Sequence, residues 1–296
     1  MVLSVHFYPE CGALLQSESL PMDPAATDFL DVTELAGEPI TSEQYDRLVH
    51  RYGWAARYCA GRDAVELACG SGAGLGLLAG VSRSFEAGDF SAALVARVRR
   101  HFGDRISVRH FDAQAMPFAD HSKDVICIFE AIYYLPDIAR FIRECRRVLR
   151  PGGQVVVVTC NKDLYDFNPS PHSHVYLGVR ELSTEFGGMG FGVECFGYFP
   201  VAQVSGWQRL LRPAKRAAVA AGLMPKTMRG KLLLKRLVFG RPVLMPVELA
   251  ASGIRPDEPV RLDPTVTDRA HKVIYCLATL PAVVPVAVPV TGGQGC

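Results

Sequence analysis

From Asp63 onward the chain alternates short apolar runs with helix-periodic stretches. Apolar runs at Ala64–Ala68, Ser84–Gly88, Ile106–Phe111, Asp124–Phe129 and Gln154–Cys160 predict strands, being short and bounded by Gly, Pro or Asp. Between them, Gly74–Ser82, Ser91–Phe102 and Ile138–Leu149 carry helical patterns, the last closed by Pro151-Gly152-Gly153. A helix over Val179–Gly187, a strand over 192–199 and a late strand over His271–Thr279 continue the series. Strand alternating with helix at this spacing predicts an α/β fold: a seven-stranded, mostly parallel sheet with helices on both faces.

The flanks are less regular. Residues 1–45 form an expected N-terminal arm leading into a helix over Ser42–Tyr58, with Thr41 or Ser42 as its N-cap. The core is expected over 46–199, closed by a final strand over 269–280. About seventy residues part the last two strands, too many for an ordinary connection, so 200–268 reads as a helical insertion acting as a lid or cap. Pro213 to Gly222 frame one helix in it, and KLLLKRLVF at 231–239 makes a second basic, apolar stretch. The tail, 281–296, is low-complexity and expected to be disordered.

Composition narrows the class without choosing a chemistry. With 49% hydrophobic and 21% charged residues, the 296-residue chain can bury a large core, which excludes a disordered or coiled-coil architecture. The longest apolar runs fall far short of a bilayer span, and the first residues lack the basic start of a signal peptide. Nine cysteines without a Cys-x-x-Cys pair read as free thiols, so the expected location is cytoplasmic. The net charge of +2 hides two blocks: nine acidic residues and no Lys or Arg from Met1 to Asp46, ten basic and no acidic ones from Cys195 to Pro246. Either the blocks face each other, or the basic one meets an anionic acceptor, a lipid headgroup or a nucleic acid.

VELACGSGAGLG, Val65 to Gly76, carries the chemistry. An acidic residue ends a strand, and four glycines follow as the chain turns into a helix, so the backbone can turn sharply and approach a ligand. A dinucleotide fingerprint needs a third glycine where Leu75 or Leu77 stands, and no Lys-Ser/Thr pair follows to make a P-loop. A ligand combining an amino acid with a nucleoside fits what remains.

Here the chain resembles the class I S-adenosylmethionine-dependent methyltransferases of the broad UbiE-like, small-molecule type. The resemblance runs from about Ala64 to Cys160 and more weakly to Phe199, on ELACGSGAG (66–74), GDFS (88–91), DAQAMPFAD (112–120), DVICIFEAIYYL (124–135) and RECRRVLRPGGQVVVV (143–158). It implies a Rossmann-like core with S-adenosyl-L-methionine as cofactor. Glu66 and the backbone of Ala68, Gly70 and Gly72 would hold the methionine end. Asp89, followed by Phe90, would take the ribose hydroxyls, Asp112 and Ala113 the adenine, and Glu130 and Ala131 would line the sulfonium end. The segment departs from the family at Tyr134, where many relatives carry His.

A sulfonium methyl is already activated, so such a protein mainly aligns the reactants and excludes water, adding a base for a hydroxyl acceptor. Base candidates are Tyr133, Tyr134, His172 and His174; the two histidines stand two apart without a third ligand, so no metal site is expected. The resemblance implies methyl transfer to a small-molecule, glycan or lipid-linked acceptor, at oxygen first. The ten basic residues Arg209, Arg212, Lys215, Arg216, Lys226, Arg229, Lys231, Lys235, Arg236 and Arg241, with Trp207, suit an anionic acceptor or a peripheral membrane contact. Nucleic acid is disfavoured because no RNA-binding motif accompanies the charge. The competing readings are an RNA or protein methyltransferase, a non-catalytic partner that binds the same cofactor, and a nicotinamide oxidoreductase.

Overall fold

The computed structural model describes residues 29–165, 167–170, 172–201, 242–250 and 257–282. Ten strands and five α-helices occur among them: β1 (Pro39–Ile40), α1 (Ser42–Cys59), β2 (Asp63–Leu67), α2 (Leu75–Val81), β3 (Ser84–Asp89), α3 (Ala92–Phe102), β4 (Ser107–His110), β5 (Lys123–Phe129), α4 (Ile138–Val148), β6 (Leu149–Cys160), α5 (Val179–Gly188), β7 (Gly192–Pro200), β8 (Val243–Leu244), β9 (Val260–Leu262) and β10 (His271–Thr279).

The main sheet has the order β4-β3-β2-β5-β6-β10-β7-β9. Strands β2 to β6 run parallel, and β10 lies antiparallel between β6 and β7. Seven strands were expected; the eighth, β9, pairs with the outer edge of β7. Its three residues are too few to give a period of their own, so only the β7 partner defines them. A separate two-stranded sheet joins Pro39–Ile40 to Val243–Leu244, so the end of the N-terminal segment is tied to the insertion.

The described parts of the insertion form an extended strap with two short strands, and the helices expected over 213–222 and 231–239, Trp207 and the ten basic residues lie outside the described residues. Leu249 N donates to Ala73 O (2.7 Å), Glu248 bonds His101 and Arg105, and Met245 and Leu249 are buried, which holds the strap against the glycine loop.

Parity along the strands builds two cores. Val65, Leu67, Ile126, Ile128, Val155 and Val157 face α4 and α5, and their neighbours Ala64, Val125, Cys127, Phe129, Val156 and Val158 face α1 and α2. Glu66 shares the parity of Ala64, so it points toward α1. Helix α1 buries Leu48, Tyr52, Ala55 and Cys59 along one stripe. Its start is a capping box: Gln44 N donates to Thr41 Oγ1 (3.1 Å) and Thr41 N to Gln44 Oε1 (2.9 Å), which makes Thr41 the N-cap.

Candidate cofactor and acceptor site

The chain runs outward from β2 to β3 and β4, then returns to place β5 on the other side of β2. At such a reversal the connections leave in opposite directions and a crevice opens beyond the carboxyl ends. Two non-glycine residues there adopt left-handed backbone, Ala68 after β2 (φ 52°) and Glu130 after β5 (φ 49°). Conformations this rare for residues with a Cβ persist where the surroundings impose them, and they cluster at ligand sites.

Gly70 (φ 56°) and Gly72 (φ 79°) complete the turn. A Cβ on Gly72 would stand 3.0 Å from Val98 Cγ1, so a side chain here would be strained in conformation and would crowd Val98. Asp89 ends β3 directly opposite. Its Oδ2 accepts from Gly70 N (2.8 Å) and its Oδ1 from Ser91 N (2.8 Å), which fixes the carboxylate and leaves each oxygen further lone pairs. Burial pushes its pKa upward against those amide donors. Asp112 is held in the same manner, its Oδ1 accepting from Gln114 N (2.8 Å). Ala113 and Ala131 are buried in the core beneath, and Phe90 packs edge-on against Phe29 (6.3 Å between centroids).

Glu66 is 1% exposed. Its Oε1 accepts from the Tyr52 hydroxyl (2.6 Å), while its Oε2 is buried with no hydrogen-bond partner. Burial pushes the Glu66 carboxyl up to about 8, only partly opposed by the Tyr52 hydroxyl and the Arg51 guanidinium. A buried acceptor left open beside a glycine turn is costly for the protein alone, and a ligand donor satisfies it. Together with the aspartates opposite, the residues present fit the S-adenosylmethionine that the resemblance implies.

The other end of the crevice is built from side chains of distant segments. Tyr133 stacks on Tyr176 (4.3 Å), Phe167 meets Tyr176 edge-on (4.7 Å), and Tyr134 packs against Phe29 (5.3 Å). The Tyr134 hydroxyl bonds Ser170 Oγ (2.7 Å), and Glu130 Oε2 accepts from Cys160 N (3.1 Å) and the Tyr133 hydroxyl (3.5 Å). His172 (φ 65°) bonds Asp31 through Nε2 (3.0 Å) and lies edge-on to Phe29 (6.1 Å). Tyr134 and His172 thus meet across Phe29. His174 is exposed and joins this group through its backbone N–H, which donates to Tyr133 O (2.8 Å). Burial pushes both the Tyr133 and the Tyr134 phenol upward, so neither is ionised near neutrality.

The sequence pattern did not single out Arg51, Tyr52, Phe29, Asp31 or Thr33. Tyr52 and Arg51 carry a faint signal, a polar pair on the apolar stripe of α1. Residues 29–33 carry none. They reach the site from the N-terminal segment, where Thr33 Cγ2 approaches the place a Gly70 Cβ would occupy (3.4 Å).

Parallel strands, a switch point between β2 and β5 and a glycine turn facing a carboxylate define a Rossmann-like nucleoside-binding domain. Residues 65–157 match the family model described as a methyltransferase domain, so this segment is a methyltransferase domain. A Mycolicibacterium smegmatis protein named as an S-adenosylmethionine-dependent methyltransferase is 39% identical over 154 residues, 51% of this chain and 57% of its own. The demethylmenaquinone methyltransferase of Bacillus velezensis is 31% identical over 137 residues, 44% of this chain and 57% of its own. The chain thus spans little more than half the length of these curated relatives. The crystal structure of an S-adenosylmethionine-dependent methyltransferase from Archaeoglobus fulgidus shares the fold, with TM-score 0.50 and 14% identity over 80% of this chain and 93% of that one. Among the described residues no helix is long and apolar enough to cross a membrane.

Proposed function

We propose that the protein transfers a methyl group from S-adenosyl-L-methionine to a hydroxyl of a small-molecule or lipid-linked acceptor. The observation that carries this reading is the open, buried Oε2 of Glu66 beside the Gly70–Gly72 turn, facing the fixed carboxylate of Asp89. The relative named as a demethylmenaquinone methyltransferase supports an acceptor of small-molecule type.

When bound, the cofactor supplies a methyl carbon activated by the adjacent positive sulfur. The Gly70–Gly72 backbone would let it approach, Asp89 would accept from its ribose hydroxyls, and the rigid strand ends would hold it in place. Phe29, Tyr134 and Tyr133 keep water from the reacting end. With its Nε2–H donating to Asp31, His172 carries its lone pair on Nδ1 and takes the proton that the acceptor hydroxyl gives up. The Asp31 carboxylate, held below its ordinary range chiefly by the hydrogen bond from His172, stays ionised in that role.

Calorimetric titration with S-adenosylmethionine and S-adenosylhomocysteine tests the first half: saturable one-to-one binding is expected, and absence of heat at millimolar ligand contradicts it. Transfer of a labelled methyl group to a panel of hydroxylated lipids, phenols and amines tests the second. Labelling confined to amines or to polymeric RNA would overturn the hydroxyl assignment.

A further inference from the structure

Two of the loop glycines stand outside the left-handed turn. Gly70 and Gly72 are bare because their backbone is left-handed, whereas Gly74 and Gly76 have ordinary backbone and are bare for want of space. A Cβ on Gly74 would run into the Tyr52 ring, and one on Gly76 would overlap the Glu248 carboxylate. Gly76 lies in the first turn of α2, where alanine would suit a helix better. It is therefore a notch in that helix, and the side chain that fills it comes from the strap of the insertion.

The strap is fastened around the notch. Glu248 Oε2 accepts from Arg105 Nη2 (3.0 Å) and bonds His101 Nε2 (3.0 Å), at the end of α3 and just beyond it. Arg105 foremost, with His101, holds the Glu248 carboxyl below its ordinary range, so it is ionised at neutral pH. One residue on, Leu249 N donates to Ala73 O (2.7 Å), inside the glycine loop. At the other end of the strap Met245 N donates to Glu38 O and Gly37 N to Met245 O (2.8 Å each), continuing the β1–β8 pairing. The strap thus bridges the cofactor turn and the N-terminal segment that brings Phe29, Asp31 and Thr33 to the crevice.

We propose that this strap is a clamp on the cofactor turn, with Glu248 as a positioning residue that acts through Ala73 and the notch at Gly76. A turn with left-handed residues persists only where its surroundings over-determine it, and the strap supplies such a restraint from outside the matched domain, 65–157. Because the same strap holds the N-terminal segment, cofactor occupancy and order at the acceptor end are coupled, in both directions. The proposal rests on the cofactor reading above.

Calorimetry with S-adenosylhomocysteine and amide hydrogen exchange, both on the intact protein, test it. Glu248→Ala empties the notch, and Gly76→Ala keeps the helix but drives Glu248 out. Each should weaken S-adenosylhomocysteine about tenfold, and the double variant no more than either alone, because both remove one contact. Glu248→Gln, which keeps an acceptor for Arg105, should lose less than about threefold. In the wild type the ligand should slow exchange of the Leu249, Met245 and Gly37 amides about fivefold or more, and in Glu248→Ala that slowing should vanish at Met245 and Gly37. Affinities within twofold of wild type in both single variants, with only the melting temperature lowered, would show a merely structural strap and overturn the clamp. Losses that multiply in the double variant, or no ligand-dependent slowing in the wild type itself, would overturn it too. In each of these cases wild-type binding leaves the cofactor reading standing, whereas no binding of S-adenosylhomocysteine to the wild type sinks both.

Discussion

The two ends of the crevice are made differently. The cofactor end is mostly backbone and strand termini: a turn at Ala68–Gly72, fixed carboxylates at Asp89 and Asp112, and one orphaned carboxyl at Glu66. The acceptor end is mostly side chains, with Phe29, Tyr134, Ser170, His172 and Tyr176 arriving from segments far apart in the chain. A backbone site tolerates little change because its geometry is set by the sheet. A side-chain site can be rebuilt without touching the fold, so the acceptor is where proteins sharing this architecture are free to diverge.

Substitutions at the two ends should therefore separate cofactor affinity from turnover. Gly72→Ala should have the largest effect on affinity, because it forces a Cβ into a left-handed position 3.0 Å from Val98. Strain of about 1–3 kcal/mol and a displaced turn should weaken S-adenosylhomocysteine on the order of a hundredfold, read by calorimetry beside a thermal melt. Asp89→Ala should follow, with a loss of at least tenfold, about 1.4 kcal/mol, since it removes the ribose acceptor and leaves Gly70 N and Ser91 N unpaired. An unchanged affinity in either variant would move the nucleoside away from this turn.

Glu66 gives a smaller, pH-dependent effect. Its pKa rises from 4.5 to about 8 on folding, so the unliganded native state holds a proton that the unfolded chain releases between those values. Stability from this group is greatest below pH 4.5 and falls as pH rises toward 8, by at most about 1.4 kcal/mol per unit. Urea unfolding at several pH values should show that slope in the wild type and not in Glu66→Gln. Ligand ammonium favours the ionised carboxyl, so wild-type affinity relative to Glu66→Gln should rise about fivefold from pH 7 to pH 8. A flat ratio would mean that the ammonium sits elsewhere.

At the acceptor end, His172→Ala should change S-adenosylhomocysteine affinity by less than about twofold while lowering turnover by roughly a hundredfold or more, with Asp31→Asn intermediate. His174→Ala should do neither, since that residue reaches the cluster through its backbone. A large affinity loss in His172→Ala would erase the distinction between the two ends.

The same distinction explains what could be read from the sequence. Strand and helix positions such as His271–Thr279 and Ile138–Val148 were legible because their patterns are local, the strand being buried on both faces and the helix along one stripe. Glu66, Gly70, Gly72 and Asp89 were legible because each sits at a strand end or in the turn beyond it, a context that a few neighbouring residues define. Strand β9 was not, because three residues acquire their conformation only from pairing with Cys195–Gly197. Nor was the N-terminal segment, whose Phe29 and Asp31 acquire a role only when folded over His172.

A crystal structure of the complex with S-adenosylhomocysteine tests the central claim most directly. The ribose hydroxyls should lie within hydrogen-bond distance of the Asp89 carboxylate, with the amino-acid end at Glu66 over the Gly70–Gly72 turn. A nucleoside bound anywhere else, or Thr33 and its neighbours filling that turn with the ligand excluded, would contradict it.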